Sequence, residues 1–370
     1  MILKNCTFFN EEFEKEYADI KIENGKITEI GIFPGDGRDM SSAILLPGFI
    51  DIHIHGASGG DASDCDEDSL NKMSKFLASR GVTSFCPTAM TASIEKLEKI
   101  EKSIVSYKGE AGAKIAGINL EGPFISKEKC GSQNTQHITP PSKEAFDRLY
   151  TAGDGLLKLI TVAPEECKGD FVEYAAKKCR VSVGHTNADY EACKKALENG
   201  AKNFTHLYNA MTPITHRSAG AVGAALDSEA MCELICDGFH ICPAVIRNTF
   251  KILGENRAVA VSDSMRAAGL GEGEYELGGQ RVFVNSTLDV ARLENGTIAA
   301  SVTNLFDEFK NLISFGIDFK TALKACTINP ARAIDKDNKI GSIAIGKCAD
   351  FTIIDEELNL KGVIINGAFA

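Results

Sequence analysis

No apolar run in this chain of 370 residues approaches the roughly 18 that a helix needs to cross a bilayer, so a membrane span is not expected. The start of the chain lacks a charged segment followed by an apolar core and a small-residue cleavage site, so a secretory leader is not expected either. Also absent is any lysine-rich stretch free of interleaved glutamate, and the formal net charge is -11. A nucleic-acid footprint needs clustered Lys and Arg, so the expected partners include neither nucleic acid nor membrane, and an anionic substrate must be captured locally. The twelve cysteines lack the paired spacing of a zinc motif. Cys232 and Cys236 share an apolar run and read as packing, and the thiols are expected to be reduced, in the cytoplasm.

Hydrophobic residues at 44% and charged residues at 25% are ordinary globular usage, which excludes collagen-like, disordered and coiled-coil classes. An α/β barrel fills about 200 to 250 residues as one unit, which leaves roughly a hundred for something smaller. Both ends supply that smaller part. Period-two alternation surrounds Asn24-Gly25, the strongest short hairpin signal, and Ala349 to Asp355 and Gly362 to Ile365, followed by Asn366-Gly367, mirror it. The expected architecture is α/β: a (β/α)8 TIM-type barrel over residues 48–338, with a small β-sandwich domain built from both termini, residues 1–47 and 339–370.

Candidate barrel strands lie near 44–52, 82–88, 114–121, 157–163, 179–184, 201–206, 231–236 and 257–262. Helix faces alternate with them: Leu70, Met73 and Leu77; Leu97, Ile100 and Ile104; Phe146, Leu149 and Tyr150 behind a Ser142 cap; Val245, Ile246, Phe250 and Leu253 between Pro243 and Gly254; and Leu305, Phe309, Leu312 and Ile313. An open doubly wound sheet would need a glycine-rich phosphate turn after an early strand, but Gly56-Ala57-Ser58-Gly59-Gly60 follows a His-x-His instead. A hairpin-rich insert, Tyr275 to Thr297, is expected to overhang the barrel mouth.

Several of these runs end in a metal-ligand type: His53 and His55, Glu121, His185, His206 and Asp263. Barrels concentrate their chemistry at that rim. His53-Ile54-His55 puts two imidazoles on one face of an extended strand. A lone His-x-His is also what two satisfied core histidines look like, and the weight comes from the other four residues converging with it. A divalent ion held there would lower the pKa of bound water from 15.7 to about 7 and polarise a carbonyl, which suits amide cleavage. Glu121 would serve as oxygen ligand beside His185 and His206. Asp263, alone on its strand, would take and return the proton. The competing reading of Asp263 is a helix N-cap, because Ser262-Asp263-Ser264 precedes Met265-Arg266-Ala267-Ala268.

Asp51-Ile52-His53-Ile54-His55-Gly56, Leu120-Glu121-Gly122-Pro123-Phe124, Gly184-His185-Thr186-Asn187-Ala188 and Thr205 to Met211 resemble signature segments of the N-acetylglucosamine-6-phosphate deacetylases of the amidohydrolase superfamily. Asp237-Gly238-Phe239-His240, Ser262-Asp263-Ser264-Met265 and Gly341 to Asp350 continue the resemblance, which spans almost the whole chain. It implies a barrel hydrolase that converts N-acetylglucosamine 6-phosphate and water to glucosamine 6-phosphate and acetate. It further implies one or two divalent ions per subunit (zinc, iron, cobalt, nickel or manganese) on Glu121, His185, His206, His53 and His55, with Asp263 as acid/base and His240 on the substrate carbonyl. Gln133, Asn209, Ala210, Arg217, Ile298, Ala299 and Ala300 match positions that meet the phosphosugar. Arg217, a bidentate phosphate partner by chemistry, reaches the neighbouring subunit in the family, which implies a homodimer. Two departures stand out: Gln133 occupies a position where many members have histidine, and Ser218-Ala219 replaces Glu-Pro. The rivals are a cyclic-amide hydrolase resembling dihydroorotase or allantoinase, and a non-catalytic barrel relative. The first usually needs a lysine at the end of the fourth strand, where Leu159 to Ala163 offers none.

Overall fold

A computed structural model describes residues 1–109, 111–285 and 290–370. Eight strands run parallel around a barrel: Phe49–Ile54, Val82–Met90, Ile118–Phe124, Leu157–Val162, Arg180–Val183, Asn203–Phe204, Met231–Leu234 and Ala258–Ala260. Each pairs with the next in parallel register. The ring closes between the eighth and the first, where the Asp263 amide donates to the His53 carbonyl at 2.9 Å and Ser262 Oγ donates to Asp51 Oδ2 at 2.6 Å. Ile50, Ile52, Leu159, Met231 and Val259 share one buried cluster with Ile334 and Ile340, so the barrel is a packed core rather than a pore. Burying each such side chain contributes about 1.5–3 kcal/mol.

Two of the expected runs are each divided between two strands. The run near 44–52 divides at Gly48: Ile44–Pro47 pairs with Phe351–Ile354 and with Thr7 and Phe8, outside the barrel, and the barrel strand begins at Phe49. A Cβ on Gly48 would lie 2.1 Å from Thr83 Oγ1, so only glycine allows that crossing. The run near 114–121 divides similarly at Gly117, where a Cβ would lie 2.3 Å from the Lys158 side chain.

Both chain ends meet in one eight-stranded sheet. It curls until Lys26 bridges Cys348, giving two layers around Leu3, Phe8, Ile20, Leu45, Phe351 and Ile364. Asn24 and Gly25 turn the hairpin between Lys15–Glu23 and Lys26–Gly31 with φ of 51° and 74°, the left-handed pair that such a turn requires. The expected helix faces are buried on Glu67–Ser79, Ile94–Ser106, Lys143–Ala152, Pro243–Arg257 and Leu305–Ser314, although Tyr150, Val245 and Ile313 are only partly covered. Ser142 Oγ accepts from the Ala145 amide as a cap. The overhang is an antiparallel sheet of Gly273–Leu277, Gln280–Val284, Val290–Leu293 and Ile298–Ser301; positions 286–289 of the predicted insert lie outside the described residues. Among the described residues no helix is long and apolar enough to cross a membrane.

Candidate metal centre

The barrel delivers its polar strand ends to one point. Glu121 Oε1 lies 2.8 Å from His185 Nε2 and 2.7 Å from His206 Nε2, and these nitrogens are 3.1 Å apart. Glu121 Oε2 is 3.3 Å from His55 Nε2, which is 3.1 Å from Asp263 Oδ1. His53 Nε2 stands 3.8 Å from Glu121 Oε1 and 3.7 Å from Asp263 Oδ1. All six side chains are buried. His185, His206 and Asp263 take positive φ of 46°, 29° and 47°, a conformation that costs a non-glycine residue of order 1–3 kcal/mol and clusters at functional sites. Asp263 caps no helix, since a turn follows it. Its carbonyl instead accepts from the Ser301 amide at 3.0 Å, fastening the overhang to the rim.

The donor set fits a divalent ion. His55 Nδ1 meets the Thr88 carbonyl at 3.1 Å, His185 Nδ1 the Lys129 carbonyl at 2.9 Å, and His53 Nδ1 Glu233 Oε2 at 2.9 Å. Each outer bond places the ring proton on Nδ1 and leaves Nε2 facing inward, as metal-ligating histidines do. His53 Nε2 and Asp263 Oδ1 are buried without a hydrogen-bond partner among the described residues. Two groups, His53–His55–Glu121 and Glu121–His185–His206, each gather ligand atoms within 4.8 Å of one another and share Glu121. Nitrogen and carboxylate oxygen suit zinc, iron, cobalt, nickel and manganese alike.

Charge compensates charge inside this buried cluster. Burial opposes ionisation of Glu121, but His185, His206 and His55 outweigh it and hold the carboxyl well below its usual range. Burial likewise opposes the Asp263 carboxylate, and His53 and His55 keep it low. For His53 burial works against the imidazolium, yet Asp263, Glu233 and Glu121 raise it to about 9.

A cavity of about 420 Å³ opens onto the cluster, bounded also by His240, Asn209, Ala210, Ile298 and Ala299. His240 Nδ1 lies 2.6 Å from Asp237 Oδ2, and Asp237 Oδ1 accepts from the Phe239 and His240 amides at 2.8 Å. That pairing fixes the ring. Ala300 is buried in the overhang's own core. Gln133 stands behind Glu121, with Nε2 2.6 Å from Glu121 Oε2. Arg217 lies on an exposed loop away from this cavity. Sequence reasoning missed Glu233 and Asp237 as partners of histidines; the one signal for Glu233 was a lone acid within the apolar run Met231 to Cys236.

A self-closed parallel barrel beside a separate terminal sheet, with imidazoles and carboxylates converging at one mouth, defines a hydrolase of the metal-dependent kind. The amidohydrolase family profile matches residues 44–369. The chain is 33% identical to the N-acetylglucosamine-6-phosphate deacetylase of Lysinibacillus sphaericus, over 99% of this chain and 97% of that one. It is 29% identical to the N-acetylgalactosamine-6-phosphate deacetylase of Escherichia coli O157:H7, over 100% and 99%. The crystal structure of the Pasteurella multocida N-acetylglucosamine-6-phosphate deacetylase superposes with a TM-score of 0.92 at 30% identity, covering 100% of this chain and 99% of that one. The chain belongs to the amidohydrolase family and, within it, to the N-acetylglucosamine-6-phosphate deacetylases.

Proposed function

We propose that this protein hydrolyses the acetamide of N-acetylglucosamine 6-phosphate, giving glucosamine 6-phosphate and acetate. The observation that carries the reading is the meeting of Glu121, His185 and His206 with Asp263 and His240 around one cavity. A divalent ion bound by Glu121, His185 and His206, with His53 and His55 beside them, supplies Lewis acidity toward water and the amide carbonyl. Asp263, kept ionised by its two imidazole neighbours, accepts the proton of the attacking water at Oδ1 and hands it to the departing nitrogen. Such proton transfer is typically worth about 10² to 10⁴ in rate. His240, oriented by Asp237, directs Nε2 toward the carbonyl oxygen.

The sugar phosphate is placed against Asn209 and the backbone at Ala210, with Ile298 and Ala299 of the overhang covering it. Arg217 sits outside its own cavity, which supports a homodimer in which it reaches the neighbouring site. All twelve cysteines are free thiols, in keeping with a reducing cytoplasm.

Acetate release from N-acetylglucosamine 6-phosphate, with and without a chelator, tests the reading, and N-acetylgalactosamine 6-phosphate run alongside tests the epimer. Chelator-sensitive release supports it. Activity confined to a cyclic amide, or release indifferent to the chelator, overturns it.

A further inference from the structure

Glu233 is fully buried in the seventh barrel strand and is not among the residues that bound the cavity over the cluster. Its two carboxylate oxygens are both engaged. Oε2 lies 2.9 Å from His53 Nδ1 and accepts weakly from the His206 amide at 3.4 Å, and Oε1 accepts from Asn203 Nδ2 at 3.0 Å. Asn203 Nδ2 also reaches Ser182 Oγ at 3.4 Å. From there the hydroxyls of Ser182, Thr205 and Thr161 follow one another at 2.6 and 2.8 Å. Glu233 is thus the inner end of a hydrogen-bonded chain linking the fourth to seventh strands, which fixes where its carboxylate can stand.

That anchoring bears on His53. The other inward-facing rings with an outer partner, His55 and His185, lean on neutral carbonyls, those of Thr88 and Lys129. Of the four imidazoles in the cluster, His53 alone has an outer carboxylate among the described residues; His240, outside the cluster, leans on Asp237. A carboxylate that accepts from Nδ1 fixes ring orientation and tautomer and makes the imidazole more basic as a ligand. His53 Nε2, without a partner among the described residues, is thereby held facing Glu121 Oε1 and Asp263 Oδ1.

We propose that Glu233 is a positioning residue: through Nδ1 it orients His53 and so sets how firmly the His53–His55 half of the centre holds its ion. The inference rests on the metal-centre reading and is independent of which sugar is hydrolysed.

The test is a cobalt(II) titration of metal-free wild type, Glu233→Gln, Glu233→Asp and His53→Asn, read by visible absorption and by chelator competition, with metal-free melting curves as the check on folding. Glutamine preserves shape, because Asn203 Oδ1 has no hydrogen-bond partner among the described residues and can turn to accept from the new amide. The expected result is a loss of about 10- to 100-fold in affinity for one cobalt equivalent in Glu233→Gln, the scale set by outer-partner substitutions. The second equivalent stays unchanged, His53→Asn weakens the same equivalent, and Glu233→Asp falls in between. Unaltered affinities in folded Glu233→Gln, equal weakening of both equivalents, or a wild type taking up one ion that His53→Asn leaves untouched would each overturn the proposal. If the glutamine variant does not fold, the aspartate variant is judged by the same criteria. No sugar enters the titration, so a failed deacetylase assay leaves its outcome intact.

Discussion

The side-chain amide of Gln133 donates to Glu121 Oε2 across 2.6 Å, while its oxygen accepts from the Thr91 amide at 2.7 Å. Both ends of Gln133 are therefore spent on protein groups, and it is 3% exposed behind the carboxylate that the two ligand groups share. Gln133→Leu is expected to weaken ion binding by about 10-fold or more while leaving KM for the phosphosugar nearly unchanged. Metal content after dialysis against a chelator, set beside steady-state kinetics, checks this. A raised KM with normal metal content would return Gln133 to sugar recognition.

Asp263→Asn keeps the shape of the rim and removes the group that accepts the proton. The expected outcome is a fall in kcat of about 10² to 10⁴ with substrate binding retained. Acetate release together with a binding measurement on the variant decides it, and near-normal turnover would mean that another group carries the proton.

Loading of the metal-free protein should depend on pH in a set direction. The His53 imidazolium is raised to about 9 when no cation is present, so at neutral pH an arriving ion must expel that proton. His55 is raised as well, Asp263 and Glu121 outweighing its burial, so affinity for the His53–His55 position is expected to rise as pH climbs from neutral through about 9, with protons released on binding. Calorimetry in buffers of different ionisation enthalpy reads the proton count directly, and zero release near pH 7 contradicts the expectation.

Glu101, on the buried face of Ile94–Ser106, has no hydrogen-bond partner for either oxygen among the described residues. Burial, helped by Glu98, pushes its carboxyl up to about 9. The folded state then binds a proton that the unfolded state releases near its ordinary value of 4.5. Stability from this group is full below that value and is lost as pH rises toward 9, by up to about 1.4 kcal/mol per unit. Glu101→Gln should flatten the fall in Tm between pH 5 and 8, and parallel Tm curves for the two proteins would count against it.

The clustered side chains were legible because a strand that delivers its last side chain to a rim leaves a plain trace, an apolar run stopped by one polar residue, as in Val181 to His185 and Val259 to Asp263. The terminal hairpins were legible because Asn-Gly admits few other conformations. What escaped depended on through-space partners. Nothing in Met231 to Cys236 says that Glu233 faces His53, and Asp237 pairs with His240 only because the loop between them turns back. Gly48 looked like part of a continuous strand, since its role, letting Thr83 come close, exists only after two strands are packed. Gln133 was read as a sugar contact by position; its bonds to Glu121 and to the Thr91 amide likewise exist only once the strands are packed.

Phe351–Ile354 lies between Ile44–Pro47 and Leu360–Ile365 in the terminal sheet, so the Ile44–Pro47 edge receives its neighbour only after every barrel strand has been made. A nascent chain carries that bare edge throughout translation of the barrel, and a premature stop codon ahead of Phe351 would leave it bare for good.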